Sequence, residues 1–228
     1  GDGPGHVDRS ILAPVIPECY FANLCGSDGL CLKPTKDPQL GKAGVAQSVW
    51  RYTFRKHLVA CKKQEIHPRP QGDWKGNLRR EVELLSELRS DHVVELLALQ
   101  VDPRHAWVIM DLLEGGTLAG VLDSPDWRLS FAQQFEVMMQ IALAMEFVHH
   151  CGVIHGDIKP SNICFRDDID EDTCAADIDI RLIDFGSAQR APMNRGGTAR
   201  VRRADFILTD WYAAPELAGA VHDMTMRQ

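Results

Sequence analysis

The run His155-Gly156-Asp157-Ile158-Lys159-Pro160-Ser161-Asn162 brings an acid, a cation and an amide into one short polar loop. Apolar segments flank it, Val153-Ile154 before and Ile163-Cys164-Phe165 after, so the loop is expected to be held between buried segments. Asp157 can accept a proton from a hydroxyl. Lys159 can neutralise charge on a transferring phosphate. Asn162 offers a carbonyl oxygen to a divalent metal. Hard cations such as Mg2+ take oxygen ligands and bind phosphates beside one or two carboxylates. A second carboxylate, Asp184, follows in Leu182-Ile183-Asp184-Phe185-Gly186.

The elements that must position these groups lie upstream. Gly41 and Gly44, three apart, could serve a loop whose backbone amides approach phosphates, because a Cβ would obstruct that approach. An ordinary turn explains the same residues. The strand His57-Leu58-Val59-Ala60-Cys61-Lys62-Lys63 carries a lysine that needs a carboxylate if it is buried, since an unpaired buried charge is costly. The helix expected over Asn77 to Leu88 has Leu78, Val82, Leu85 and either Leu88 or Arg89 at helical spacing. Glu81 borders that stripe, with Glu83 the substitute partner if the register is off. Val93 to Val101 and Ala106 to Leu113, split by Asp102-Pro103-Arg104, read as strand, turn and strand. Ser130 and Gln133 form a capping box for a helix reaching His149. On it Phe131, Phe135, Met138, Ala142 and Met145 make the expected core-facing stripe.

Together these motifs resemble the eukaryotic protein kinases, serine/threonine type. The resemblance covers about residues 38–220. It implies an α+β, bilobal fold: an antiparallel N-lobe sheet with one helix, and a mostly helical C-lobe that is incomplete at its C-terminus. The implied divisions are an irregular extension over residues 1–37, the N-lobe over 38–112 and a partial C-lobe over 113–228. The implied substrates are ATP and a protein, with Mg2+ as cofactor. Gly41, Gly44 and Val49 would cover the nucleotide, and Ala60, Met110, Asp111, Leu113 and Cys164 would surround its adenine. Lys62 would contact the α- and β-phosphates, held by Glu81. Asn162 and Asp184 would hold the metal. Asp157, Lys159 and Thr209 would complete the catalytic set, with Ala214-Pro215-Glu216 closing the segment that begins at Asp184. Trp211-Tyr212 and Asp184-Phe185-Gly186-Ser187-Ala188 resemble the branch containing cyclin-dependent and MAP kinases.

Three departures from the family pattern stand out, the first being Gly41 and Gly44 three apart rather than two. Gln47 replaces the last glycine of the phosphate-covering loop, and Gly156 stands where most of the family has Arg. That Arg often pairs with a phosphate on the activation segment, so Gly156 implies that phosphorylation of Thr198 is not required for activity. The alternatives are a pseudokinase serving as a binding scaffold, or a small-molecule kinase of the aminoglycoside or choline type, which shares His155-Gly156-Asp157.

Composition sets the outer bounds. The chain has 228 residues, 45% hydrophobic and 25% charged, with a net charge of −7. That balance fits a globular protein and argues against a nucleic-acid or membrane-surface binder. No apolar run is long enough to span a bilayer, and no signal peptide is expected. Seven scattered cysteines suggest a reducing, intracellular setting. Cys19, Cys25 and Cys31 recur too widely for a zinc site. His149, His150, Cys151 and His155 are read as a helix end and a packing histidine rather than a metal site. Asp167 to Asp179 holds seven acids and no base, the pattern of a solvated hairpin loop. The arginines from Arg190 to Arg203 read as a mobile basic loop, or alternatively as a hold on an acidic substrate or a contact with the acidic loop 167–179. Oligomeric state is left open.

Overall fold

Segments of mixed apolar and polar residues separated by turns pair into one antiparallel sheet in the first part of the chain. The computed structural model describes residues 33–43, 47–65, 74–101, 105–191 and 212. The chain divides into two compact units: the first reaches Arg89 and takes in Val94–Glu114, and the second holds Ser90–Val93 and everything from Gly115 on.

The first unit contains β1 (Lys33–Ala43), β2 (Gln47–Phe54), β3 (His57–Glu65), α1 (Trp74–Glu87), β4 (Leu96–Val101) and β5 (His105–Asp111). Its five strands lie in the order β1-β2-β3-β5-β4. The turn between β2 and β3 has just two central residues, Arg55 at φ 49° and Lys56 at φ 70°. This is the left-handed pattern of a type I′ hairpin turn, which matches the twist of the strands. Side chains alternate across a strand. One face of the sheet buries Phe54, Val59, Cys61, Ala98 and Ile109, with Tyr52, Leu97 and Trp107 against them. The other face carries Val49, Lys62 and Val108 in one cross-strand row, and Arg51, Ala60 and Met110 in another.

Helix α1 packs on β4. It buries Leu78, Val82 and Leu85, and Leu88 just beyond its end is buried too. Arg89 is exposed, so Leu88 takes the last position of the stripe.

The second unit contains α2 (Leu118–Asp123), α3 (Phe131–His150), β6 (Val153–Ile154), β7 (Ile163–Phe165), β8 (Ile180–Leu182) and β9 (Gln189–Arg190). β7 and β8 form an antiparallel hairpin. β6 pairs with β9 in the same sense. The loop between β7 and β8 is largely exposed, and Asp179 at its end binds both Arg166 and Arg181. The segment leading into α2 adds to β7. Gly115 N–H donates to Phe165 O at 3.2 Å, and Phe165 N–H donates to Gly116 O at 2.9 Å. A Cβ on Gly115 would lie 2.0 Å from Asp167 O, so only glycine permits this approach.

Helix α3 opens with the expected capping box: Gln133 N–H donates to Ser130 Oγ, and Ser130 N–H donates to Gln133 Oε1. Its buried face is not the expected one. Phe131, Phe135 and Met138 are 82%, 53% and 58% exposed. Gln133, Val137, Gln140, Ala144 and Val148 are buried instead. The two glutamines face inward because the loop after β7 supplies them with partners. Gln133 Nε2 donates to Asp170 O and Thr173 O, both at 2.9 Å. Gln140 Nε2 donates to Ile178 O at 2.6 Å, and its Oε1 accepts from Ile180 N–H at 2.9 Å. Among the described residues no helix is long and apolar enough to cross a membrane.

Candidate active site

In the first unit, β3 and α1 fix one ion pair. Lys62 sits where β3 turns its side chains to the face carrying Val49 and Val108, and Glu81 is on α1. Lys62 Nζ donates to Glu81 Oε1 at 2.6 Å. The two residues are 5% and 4% exposed, so neither charge is served by bulk water. Glu83 is not needed as the substitute partner. Gly41 on β1 pairs with Val49 on β2, which pairs with Lys62 on β3. Ala60 and Met110 are direct cross-strand partners, and Asp111 ends β5 just before Leu113. Gly44 lies outside the described residues.

In the second unit the loop after β6 gathers three of the singled-out side chains. Lys159 Nζ lies 2.7 Å from Asp157 Oδ2. Asn162 Nδ2 donates to Asp157 O at 2.8 Å and to Asp157 Oδ2 at 3.0 Å. Gly156 makes the bend between His155 and Asp157 at φ 81°, a conformation that L side chains rarely adopt. Its glycine therefore relieves strain at the position where the family pattern has Arg.

The β7–β8 hairpin sets the remaining group. Ile163 pairs with Leu182, so Asn162 and Ile183 emerge at the same end, and Ile183 N–H donates to Asn162 O at 2.9 Å. Asp184 is thereby delivered beside Asn162's strand end. Its backbone is left-handed, φ 61°, and its carboxylate accepts from Gly186 N–H at 3.4 Å. Asp is among the few residues that tolerate this conformation.

His155 ties the loop to the hairpin. It is fully buried, its Nε2 bonds Ile183 O at 3.0 Å, and its Nδ1 accepts from Asp157 N–H at 3.3 Å. The ring meets Phe185 edge-on at 4.8 Å between centroids. Burial lowers its pKa from the ordinary 6.5, against the raising effects of the Ile183 bond and of Asp184 and Asp157. The Asp157 N–H facing Nδ1 makes that nitrogen the acceptor and leaves Nε2 as the donor to Ile183 O. His149, His150 and Cys151 are exposed at the end of α3. Among the described residues no group of three or more His, Cys, Asp or Glu could hold a metal ion.

Cys164 is buried on β7, opposite Thr117, and burial pushes its thiol up to about 12. Cys61 behaves in the same way on β3, its thiol also pushed up to about 12. Both are packing groups rather than nucleophiles. Gly115 is the positioning residue that sequence reasoning passed over. The double glycine after the β5 strand was the available signal, but its contact with Asp167 spans the whole of α3. Thr209, Thr198, Cys19, Cys25, Cys31, Ala214-Pro215-Glu216 and the arginines beyond Arg190 lie outside the described residues.

The chain is similar to several curated protein kinases. Mitogen-activated protein kinase mpkC of Aspergillus oryzae is 29% identical over 179 residues, 78% of this chain and 46% of its own length. Serine/threonine-protein kinase ppk23 of Schizosaccharomyces pombe is 32% identical over 162 residues, 70% of this chain and 37% of its own. Mitogen-activated protein kinase 8 of Arabidopsis thaliana is 32% identical over 146 residues, 62% of this chain and 23% of its own. The chain thus spans less than half the length of these relatives. The family description "protein kinase domain" fits residues 36–226, nearly all of the sequence after its first segment, and the chain belongs to the protein kinase family.

Proposed function

We propose that this chain carries the nucleotide-binding lobe and catalytic loop of an ATP-dependent kinase acting on serine or threonine hydroxyls of proteins. The observation that carries the proposal is the cluster in which Lys159 and Asn162 both contact the Asp157 carboxylate. A carboxylate so held is oriented, and a cation beside it suits a reaction in which negative charge moves.

Asp157 positions the acceptor hydroxyl and takes its proton as the new O–P bond forms and the bond from the γ-phosphorus to the β,γ-bridging oxygen breaks. Lys159 stabilises the charge on the transferring group. Lys62, fixed by Glu81, orients the α- and β-phosphates. Thr209 is assigned to bonding Asp157 and Lys159. The work is positioning plus electrostatic stabilisation, as in phosphoryl transfer generally.

The protein kinase family uses Mg2+ with ATP, and the residues here fit that ion. Asn162 turns its amide nitrogen to Asp157, which leaves its carbonyl oxygen as the outward donor. Asp184 adds a carboxylate from the same end of the hairpin. An all-oxygen pair suits a hard cation that shares its shell with phosphates. When bound, the ion neutralises phosphate charge and polarises the γ-phosphoryl group.

Gly41, Gly44 and Val49 are assigned to covering the nucleotide, and Ala60, Met110, Asp111, Leu113 and Cys164 to its adenine. The four described cysteines are all free thiols, which supports a reducing, intracellular setting.

The test is calorimetric titration of ATP into this chain with and without Mg2+, followed by a phosphoryl-transfer assay with serine and threonine peptides. Mg2+-dependent binding that Lys62→Met abolishes is expected. Asp157→Asn should lower turnover by orders of magnitude while ATP affinity stays within about twofold. Binding without transfer would favour a scaffold. Transfer to small alcohols but not peptides would overturn the substrate assignment.

A further inference from the structure

The sheet face that carries Lys62 carries a second cation. Cross-strand partners share a face. Val49, Lys62 and Val108 form one row, and Arg51, Ala60 and Met110 form another two residues away. At a rise of ~3.4 Å per residue the rows are about 7 Å apart. Arg51 Nη2 lies 3.4 Å from Glu114 Oε1, with the side chains 31% and 54% exposed. A pair that long and that open to water contributes little. Arg51 Nε is buried and has no acceptor, which is unfavourable for a guanidinium donor. Among the described residues the fork is therefore held by one weak tether, with its Nε unbonded. It sits beside Ala60 and Met110, two of the residues assigned to the adenine.

We propose that Arg51 is a nucleotide-binding residue that donates to an acceptor on the nucleoside half of ATP, its base or its ribose, with Glu114 orienting the fork. An incoming acceptor meets the exposed terminal nitrogens first, and a small rotation of the guanidinium turns Nε–H towards it. The separation from the Lys62 row directs Arg51 to the nucleoside rather than to the phosphates. This rests on the assignment of the Lys62 face to ATP. It adds a specificity contact that a simple phosphate-binding lysine does not supply.

The test is a set of dissociation constants for ATP, ADP and inorganic tripolyphosphate, with Mg2+, for the wild-type chain, Arg51→Met and Arg51→Lys. Methionine keeps the apolar stem without the fork, and lysine keeps the charge. Arg51→Met should weaken ATP and ADP alike by about tenfold, as expected for one hydrogen bond to a charged donor. Tripolyphosphate should stay within about twofold. Arg51→Lys should resemble Arg51→Met for ATP, because an ammonium lacks the planar fork. Equal weakening of tripolyphosphate, or full ATP affinity in Arg51→Lys, would show that Arg51 acts by charge on the phosphates and would overturn the proposal. Unchanged ATP affinity in Arg51→Met would overturn it while leaving the ATP assignment intact. A wild-type chain that binds no ATP would remove both.

Discussion

The Lys62–Glu81 pair allows its energetics to be worked out from geometry. At 2.6 Å the Coulomb attraction is about 6 kcal/mol for an effective dielectric of about 20. Withdrawing each ion from water costs several kcal/mol, so the intact pair is close to neutral for stability. Breaking it is a different matter. Lys62→Met leaves the Glu81 carboxylate with a side chain only 5% exposed and no partner there. The expected cost is about 3–5 kcal/mol. For a chain of this size that is a fall of about 6–20 °C in Tm, at about 2–4 °C per kcal/mol. Glu81→Leu takes the carboxylate from a lysine side chain only 6% exposed and should also destabilise the fold. The double variant Lys62→Met/Glu81→Leu removes both charges and should recover most of the loss. Hydrogen exchange of the amides in β3 and α1, followed through urea, reads the opening of this unit separately from the second one. Single variants that cost under about 1 kcal/mol would refute the view that these charges are desolvated. A double variant as unstable as the sum of the singles would refute the view that each is the other's partner. The double variant should still fail to bind ATP, which separates what the pair does for stability from what Lys62 does for function.

Three further outcomes follow from backbone and burial. Gly115→Ala places a Cβ 2.0 Å from Asp167 O, so the bonds to Phe165 should open and the thermal midpoint should fall by several degrees. Gly116→Asn, with φ 73° but open space, should fall less, and an equal fall would refute the steric account. Gly156→Ala puts an L side chain at φ 81° and should cost about 1–2 kcal/mol in urea unfolding, with no loss if the loop simply relaxes. His155 has a lowered folded pKa, so the unfolded chain takes up its proton first as the pH falls. Its contribution is present above the ordinary value of 6.5 and is lost below it, down to the folded pKa. His155→Phe should be less stable at neutral pH yet show a flatter decline between pH 6.5 and acid, and an unchanged slope would refute the assignment.

How far the sequence could be read depended on the range of the interaction. The capping box at Ser130 and Gln133 is local, and the two residues that make it are three apart. The β4 and β5 strands followed from apolar runs broken at Asp102-Pro103-Arg104. Lys62 and Glu81 are 19 residues apart, yet two constraints pointed to each other: a strand lysine needing an acid, and an acid beside a helical apolar stripe. Gly115 gave no such cue, because its requirement is set by a carbonyl 52 positions later, at Asp167. Arg51 and Glu114 are likewise joined only by folding. Gly156 was legible as a departure, but its positive φ was not, since nothing in the flanking residues demands that bend.

Helix α3 shows why hydrophobic periodicity alone chose the wrong face. Its sequence offers two candidates, one lined by Phe131, Phe135 and Met138 and one interrupted by Gln133 and Gln140. Counting apolar area favours the first. The loop between β7 and β8 changes the balance, because it lies against the helix with backbone groups that need partners. Asp170 O, Thr173 O, Ile178 O and Ile180 N–H are each met by a glutamine amide. An apolar side chain at Gln140 would leave Ile178 O and Ile180 N–H, both on buried residues, unpaired, and each buried unpaired group costs about 1–3 kcal/mol. That outweighs the gain from burying one more methionine, about 1.5–3 kcal/mol, once two or more groups depend on that amide. The partners lie 37 to 40 residues further along the chain, well beyond the reach of a helical-period count. A polar residue recurring at helical spacing among small apolar ones, as Gln133, Val137, Gln140 and Ala144 do, therefore marks a buried face whose donors serve a distant loop.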